Sequence, residues 1–207
     1  MTLIAAPPFS HIATKLHIPA TRPRLLARPH LHCLLSRCVQ HKLTQIVAPA
    51  GFGKTTLLSE WSQKGSWPVA WVSLDAADND AMRFWSYVVA ALDKLEPRVG
   101  QYVLPIIQSP RPADTRYLLS ALINTVATIP DHFVLVLDDY HCIRSLSIHN
   151  AMAYLVDYLP PNMHLVLSGR TAPPLPLARW RARGELLEIT AVDLRFSLQE
   201  TTPLFNQ

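Results

Sequence analysis

The sequence predicts an α/β fold, a mostly parallel sheet flanked by helices, and three observations carry that expectation. Short apolar runs with little polar alternation recur at residues 43–47, 69–74, 133–137, 164–167 and 187–190, as strands covered on both faces require. Between them, apolar side chains return at helical spacing, as Phe84, Trp85, Val88, Val89, Leu92 and Leu95 do. The two signals alternate along 207 residues, a length that suits about one domain with a small appendage.

Taken in order, the chain up to Pro29 is punctuated by Pro19, Pro23 and Pro29 and reads as an ordered arm. Pro29 is placed to open a helix whose Leu31, Leu34, Leu35 and Cys38 share one face. After the strand at 43–47, a helix over 56–64 carries Leu57, Leu58 and Trp61 toward the sheet until Gly65 stops it. Asp75, Asp78, Asn79 and Asp80 form a polar turn, and Asp80 can cap the helix that follows. The Phe84–Leu95 aromatics and aliphatics read as a core stripe, and Pro97 helps to end that element. Further helices are expected over 113–129, 149–158 and 177–183. Ser197 and Glu200 have capping-box spacing, yet Pro203 follows almost at once.

The net charge of +4 is too small to announce a polyanionic partner. Arg22, Arg24 and Arg28 cluster early and Arg170, Arg179, Arg181 and Arg183 late, with a solvated surface the default for most of them. Cys33, Cys38 and Cys142 have no zinc-ligand spacing with histidine and read as buried free thiols in a reducing compartment. No secretory signal and no apolar run of membrane-spanning length is present, so a cytoplasmic protein is expected.

The chemistry concentrates at Ala48-Pro49-Ala50-Gly51-Phe52-Gly53-Lys54-Thr55. Gly51 and Gly53 permit positive φ and let backbone N–H groups converge on phosphate oxygens. Lys54 brings a compact charge to the terminal phosphates, Thr55 a hydroxyl for Mg²⁺, and the helix starting at Thr56 a positive dipole end. The general pattern has glycine where Ala48 stands, but the inner glycines, the lysine and the threonine remain. Asp138 and Asp139 follow the most apolar strand. Asp138 is suited to hold Mg²⁺ and Asp139 to orient or deprotonate water; the alternative is a pair that ends a strand and binds turn N–H groups. Arg170 is a candidate for the γ-phosphate or for a surface ion pair, and Phe52 and Trp71 for flanking a base or for ordinary packing. His141 reads as a hydrogen-bonded turn histidine.

Together, the 48–57 loop, Trp71-Val72-Ser73-Leu74-Asp75, Asp78-Asn79-Asp80 with Arg83-Phe84-Trp85, and Val136-Leu137-Asp138-Asp139-Tyr140-His141 resemble the nucleotide-binding domain of MalT-like regulators. These are the large ATP-binding LuxR-type transcription factors among the signal-transduction P-loop NTPases with numerous domains. Thr14-Lys15-Leu16 with Pro19, Arg22, Leu25, Arg28 and Pro29 is similar to their arm, Leu165–Arg170 to their strand and arginine sensor, and Leu194-Arg195-Phe196 to the start of their helical lid. Ala48 matches the family form of the loop. The resemblance implies residues 1–29 as arm, 30–193 as nucleotide-binding domain and 194–207 as a truncated or divergent start of the lid. It implies ATP or ADP with Mg²⁺ as cofactors, held by Pro49, Ala50, Gly51, Phe52, Gly53, Lys54, Thr55, Thr56 and Arg28, with Thr55 and Asp138 on the metal. Lys54, Asp139 and Arg170 become the candidates for weak hydrolysis. The expected partners are nucleotide and a second copy or a longer homologue, with no direct DNA binding by this chain. The competing expectation is a catalytically silent interaction module derived from such a regulator.

Overall fold

The computed structural model describes residues 11–21, 28–65, 67–109 and 114–196. Five strands, β1 (Leu43–Val47), β2 (Val69–Ser73), β3 (Phe133–Asp138), β4 (Met163–Gly169) and β5 (Leu186–Thr190), form one sheet in the order β2-β3-β4-β1-β5. Every pairing is parallel.

Among the described residues seven α-helices flank it: α1 (Pro29–Ser36), α2 (Lys54–Lys64), α3 (Ala81–Asp93), α4 (Pro97–Ile107), α5 (Thr115–Val126), α6 (Leu146–Asp157) and α7 (Leu177–Ala182). The strand order decides which face each helix covers. The chain runs from β1 outward to β2 and then returns through β3 and β4, and right-handed crossovers in opposite directions lie on opposite faces. Accordingly, Leu57, Leu58 and Trp61 of α2 join Leu31 and Leu35 of α1 against Ile46, Val134, Val136, Val166 and Ile189. The residues between these in the strands, Leu135, Leu137, Leu165 and Leu167, pack on the other side against α3 to α6. Both faces being covered, β3 is buried at every position, which is why its sequence shows no alternation.

Several expectations shift. Pro97 occupies the first turn of α4 rather than ending α3, because its missing N–H costs nothing there. α4, with Pro105 inside it, has no counterpart among the sequence-based expectations. Asp138 is the last residue of β3, and α6 starts at Leu146, ahead of the expected position. Cys38 is buried, but Cys33 is exposed and Cys142 intermediate, so the three thiols do not share the expected burial.

The described part of the arm, residues 11–21, docks on the domain. A short 3₁₀ turn at Ala13–Leu16 buries Leu16 and Lys15. The Lys15 ammonium donates to Asp75 at 3.0 Å and to Asp78, a fully buried carboxylate that also accepts from Arg83 Nε at 3.1 Å. The expected polar turn thus forms, with Asp80 capping α3, and its Asp75 and Asp78 join Lys15 in an ion cluster. No helix among the described residues is long and apolar enough to cross a membrane. Arg22, Arg24 and the capping-box residues Ser197 and Glu200 lie outside the described residues.

Candidate functional site

The carboxyl ends of β1, β3 and β4 lie side by side where the strand order reverses, the edge at which open α/β sheets hold ligands. From β1 the chain turns through residues 48–53 directly into α2. Gly51 and Gly53 have φ of +84° and +75°, and a Cβ on either would meet nothing within 4 Å. Glycine is required there by the backbone conformation, and the space above the loop is open. Gly53 stands at the N-cap without a side-chain cap, so the N–H groups of Lys54, Thr55 and Thr56 begin α2 with no side-chain acceptor. An anion is the natural partner for such an end.

Lys54 is nearly buried, 7% exposed, and its ammonium donates to the carbonyls of Ala48 at 2.8 Å and Pro49 at 3.0 Å. Two of three N–H groups thereby brace the loop, which leaves one for a ligand oxygen. Burial pulls the Lys54 pKa down, while the nearby Asp139 and Asp138 carboxylates oppose that shift.

Across the strand ends, Thr55 Oγ1 donates to Asp138 Oδ2 at 2.7 Å. The other oxygen of Asp138 accepts from the Ser168 hydroxyl. Register explains the second contact: Leu137 pairs with Leu167, so the next residue of β3 lies beside the next residue of β4. Ser168 also accepts from the Asp139 N–H at 3.3 Å. Burial holds the Asp138 pKa above the ordinary carboxylate value despite the donors Ser168 and Thr55. Ser168 escaped sequence reasoning as a site residue; the signal was its place two residues before Arg170 at the end of an apolar strand.

Asp139 leaves β3 in the left-handed region, φ +59°, the one described non-glycine residue with positive φ. Aspartate tolerates this conformation better than bulkier residues. The turn is held from two sides. Asn79 accepts from the N–H groups of Arg144 and Ser145 and donates to the Cys142 carbonyl, and the Tyr140 hydroxyl bonds His149 Nδ1 at 3.0 Å. The Asp139 side chain, 47% exposed, has His141 Nδ1 at 3.7 Å. Burial lowers the His141 pKa, with Asp139 working in the opposite direction.

A cavity of about 570 Å³ brings together Ala50, Gly51, Gly53, Lys54, Thr55, Thr56, Asp139 and Arg170, and the arm closes it with Pro19, Ala20 and Thr21. A second, about 450 Å³, adjoins the same loop and is lined by Gly51, Phe52, Gly53, Thr56, Leu57, Glu60, Arg28, Leu194, Arg195 and Phe196. Phe52 borders this second cavity and also packs, partly buried, against the core on the α2 face. Trp71 is 2% exposed and packs in the core on the face of α2, so it flanks no base. Arg28 sits at the second cavity and not among the residues lining the first. Among the expected late basic cluster, Arg179 pairs with Asp157 and Arg181 with Glu188, as a surface role implies.

A hydroxyl and a carboxylate 2.7 Å apart, both hard oxygen donors, fit Mg²⁺ when phosphate oxygens and water complete the octahedron. No group of three or more acidic, histidine or cysteine side chains among the described residues could form a metal cage.

Comparison with known proteins agrees with this geometry. No protein-family model matches the chain. It is 34% identical over 197 residues to the HTH-type transcriptional regulator MalT of Vibrio parahaemolyticus and 35% identical over 195 residues to that of Klebsiella pneumoniae. These alignments take in 95% and 94% of this chain and 22% of each relative, so the chain spans about a fifth of their length. In structure it is similar to a Walker-type ATPase of Pyrococcus abyssi, with a TM-score of 0.59 at 15% identity, covering 90% of this chain and 58% of that one. It is also similar to Cdc6p of Pyrobaculum aerophilum, with a TM-score of 0.55 at 17% identity, covering 82% and 47%. The fold is that of the P-loop NTPases.

Proposed function

Since this chain is a homologue of the MalT transcriptional regulators with a P-loop NTPase fold, we propose that it is an ATP-binding, weakly ATP-hydrolysing switch module of such a regulator. The observation that carries the reading is the uncapped start of α2 behind two positive-φ glycines, with Lys54 and the Thr55–Asp138 pair at the same sheet edge. Phosphates of ATP or ADP would take the N–H groups of the loop and the remaining donor of Lys54. Thr55 and Asp138 would hold Mg²⁺, which neutralises phosphate charge. Asp139 is the candidate to activate water and Arg170 to meet the γ-phosphate, both bordering the larger cavity. The apolar cavity beside Phe52 and Leu57 would receive the base. Exchange of ADP for ATP would then be the switch, with self-association or docking on a longer homologue as its output, in the cytoplasm.

Calorimetric titration with ATP and ADP, with and without Mg²⁺, tests this. Saturable binding is expected, and Lys54→Ala should weaken it by about two orders of magnitude, the worth of a charge-assisted phosphate contact in a desolvated site. A folded chain that binds neither nucleotide would overturn the reading and leave a silent interaction module.

A further inference from the structure

The apolar cavity is walled by segments far apart in sequence, and one side chain joins them. Arg28, immediately before α1, donates from Nη1 to the Leu194 carbonyl at 2.8 Å and from Nη2 to the Arg195 carbonyl at 2.6 Å. Its guanidinium carbon lies 4.5 Å from the centre of the Phe196 ring. Beyond β5, the segment it grips is folded back on itself: Leu194 N–H donates to the Thr190 carbonyl at 3.1 Å, and Asp193 accepts from the Thr190 N–H at 2.7 Å.

A planar fork that serves two successive carbonyls fixes the course of the backbone between them. Its face, laid on an aromatic ring, fixes that ring as well. Both of these contacts point the guanidinium at the 194–196 wall, and Arg28 does not border the cavity that holds Lys54, Thr55, Asp139 and Arg170. Building on the nucleotide-binding reading above, we propose that Arg28 is a positioning residue for the base. It pins residues 194–196 as one wall of the apolar cavity and acts on nucleotide affinity through that wall, not by contact with phosphate.

The test is a double-mutant cycle of Arg28→Ala and Phe196→Ala on MgADP affinity, with Arg28→Lys alongside and circular dichroism and melting of every variant. Each single change should weaken MgADP by about ten-fold, and the double variant should be no weaker than the worse single. Arg28→Lys should not restore affinity, because an ammonium cannot hold both carbonyls and cover the ring. Additive losses, full rescue by lysine, or unchanged affinity in Arg28→Ala would each overturn the assignment. Rescue by lysine would mark a point charge on phosphate instead. Absence of MgADP binding in the unaltered chain would overturn the nucleotide reading and this assignment with it, whereas binding that is insensitive to Arg28 overturns the assignment alone.

Discussion

The carboxyl of Asp138 lies in the interior at 2% exposure, with Thr55 and Ser168 as its hydroxyl donors, and burial still holds its pKa above the ordinary carboxylate value. A folded-state pKa that is raised means a contribution to stability present in full below the unfolded value, near pH 4, and lost as the pH climbs through the folded value. The carboxyl therefore favours the fold less at neutral pH than in acid. Asp138→Asn, a neutral isostere that does not titrate, should raise stability in Mg²⁺-free buffer at pH 7 by roughly 1–2 kcal/mol, the scale on which buried polar groups shift stability. Mg²⁺ with nucleotide should raise the melting temperature of the unaltered chain and much less that of Asp138→Asn. Calorimetric melting at pH 4 and pH 7 checks both, and an asparagine variant less stable than its parent at pH 7 would refute the account.

The described part of the arm, residues 11–21, is attached through side chains far apart in sequence. Its docking rests on Lys15, whose ammonium joins Asp75 and Asp78 and lies 4.7 Å from the Tyr87 ring. Lys94 reaches the Leu16 carbonyl at 2.8 Å, and Pro19 to Thr21 then border the cavity that Lys54, Thr55 and Asp139 line. Lys15→Ala would leave the fully buried Asp78 with Arg83 as its remaining cation. Removing one partner of a buried pair is costly because the other charge stays in place. A loss of about 2–4 kcal/mol is expected in urea unfolding, while Lys15→Ala with Asp78→Asn should recover part of it. Equal damage in single and double variants would show that the ion pair is not the source.

At the scale of the whole molecule, the two poles of the sheet carry different chemistry. The carboxyl ends hold the glycine loop with Lys54, Thr55 and Asp138; the opposite pole holds His41, His132 and His164. His164 Nδ1 donates to the His41 carbonyl at 2.9 Å, so its Nε2 accepts from His132 Nδ1, also at 2.9 Å. Burial lowers the His164 pKa, the His41 carbonyl opposes the shift, and His132 adds to it. With the folded value depressed below the unfolded one, near 6.5, this group's contribution is intact above pH 6.5 and is lost as the pH falls toward the folded value. Denaturant midpoints should therefore drop between pH 7 and pH 5, and His164→Asn should flatten part of that slope. An unchanged slope in the variant would assign the pH dependence to other groups.

What sequence by itself determined was local. The doubly covered strands announced themselves as unbroken apolar runs, the phosphate loop as glycines at the two positions that need positive φ, and the acidic pair as charge at the end of a buried strand. Such signals survive in a linear reading because each depends on neighbours a few residues away. Strand order, register and the arm's attachment join residues far apart in the chain, and these only the tertiary structure decided. Ser168 became a ligand of the Asp138 carboxyl because β4 lies in register beside β3. Arg28, expected at the nucleotide among the basic residues of the arm, holds the 194–196 segment because the end of β5 brings two carbonyls and a ring within its reach. α4 stayed hidden because a proline reads the same way whether it closes one helix or opens the next, and only packing against α3 and α5 distinguishes the two.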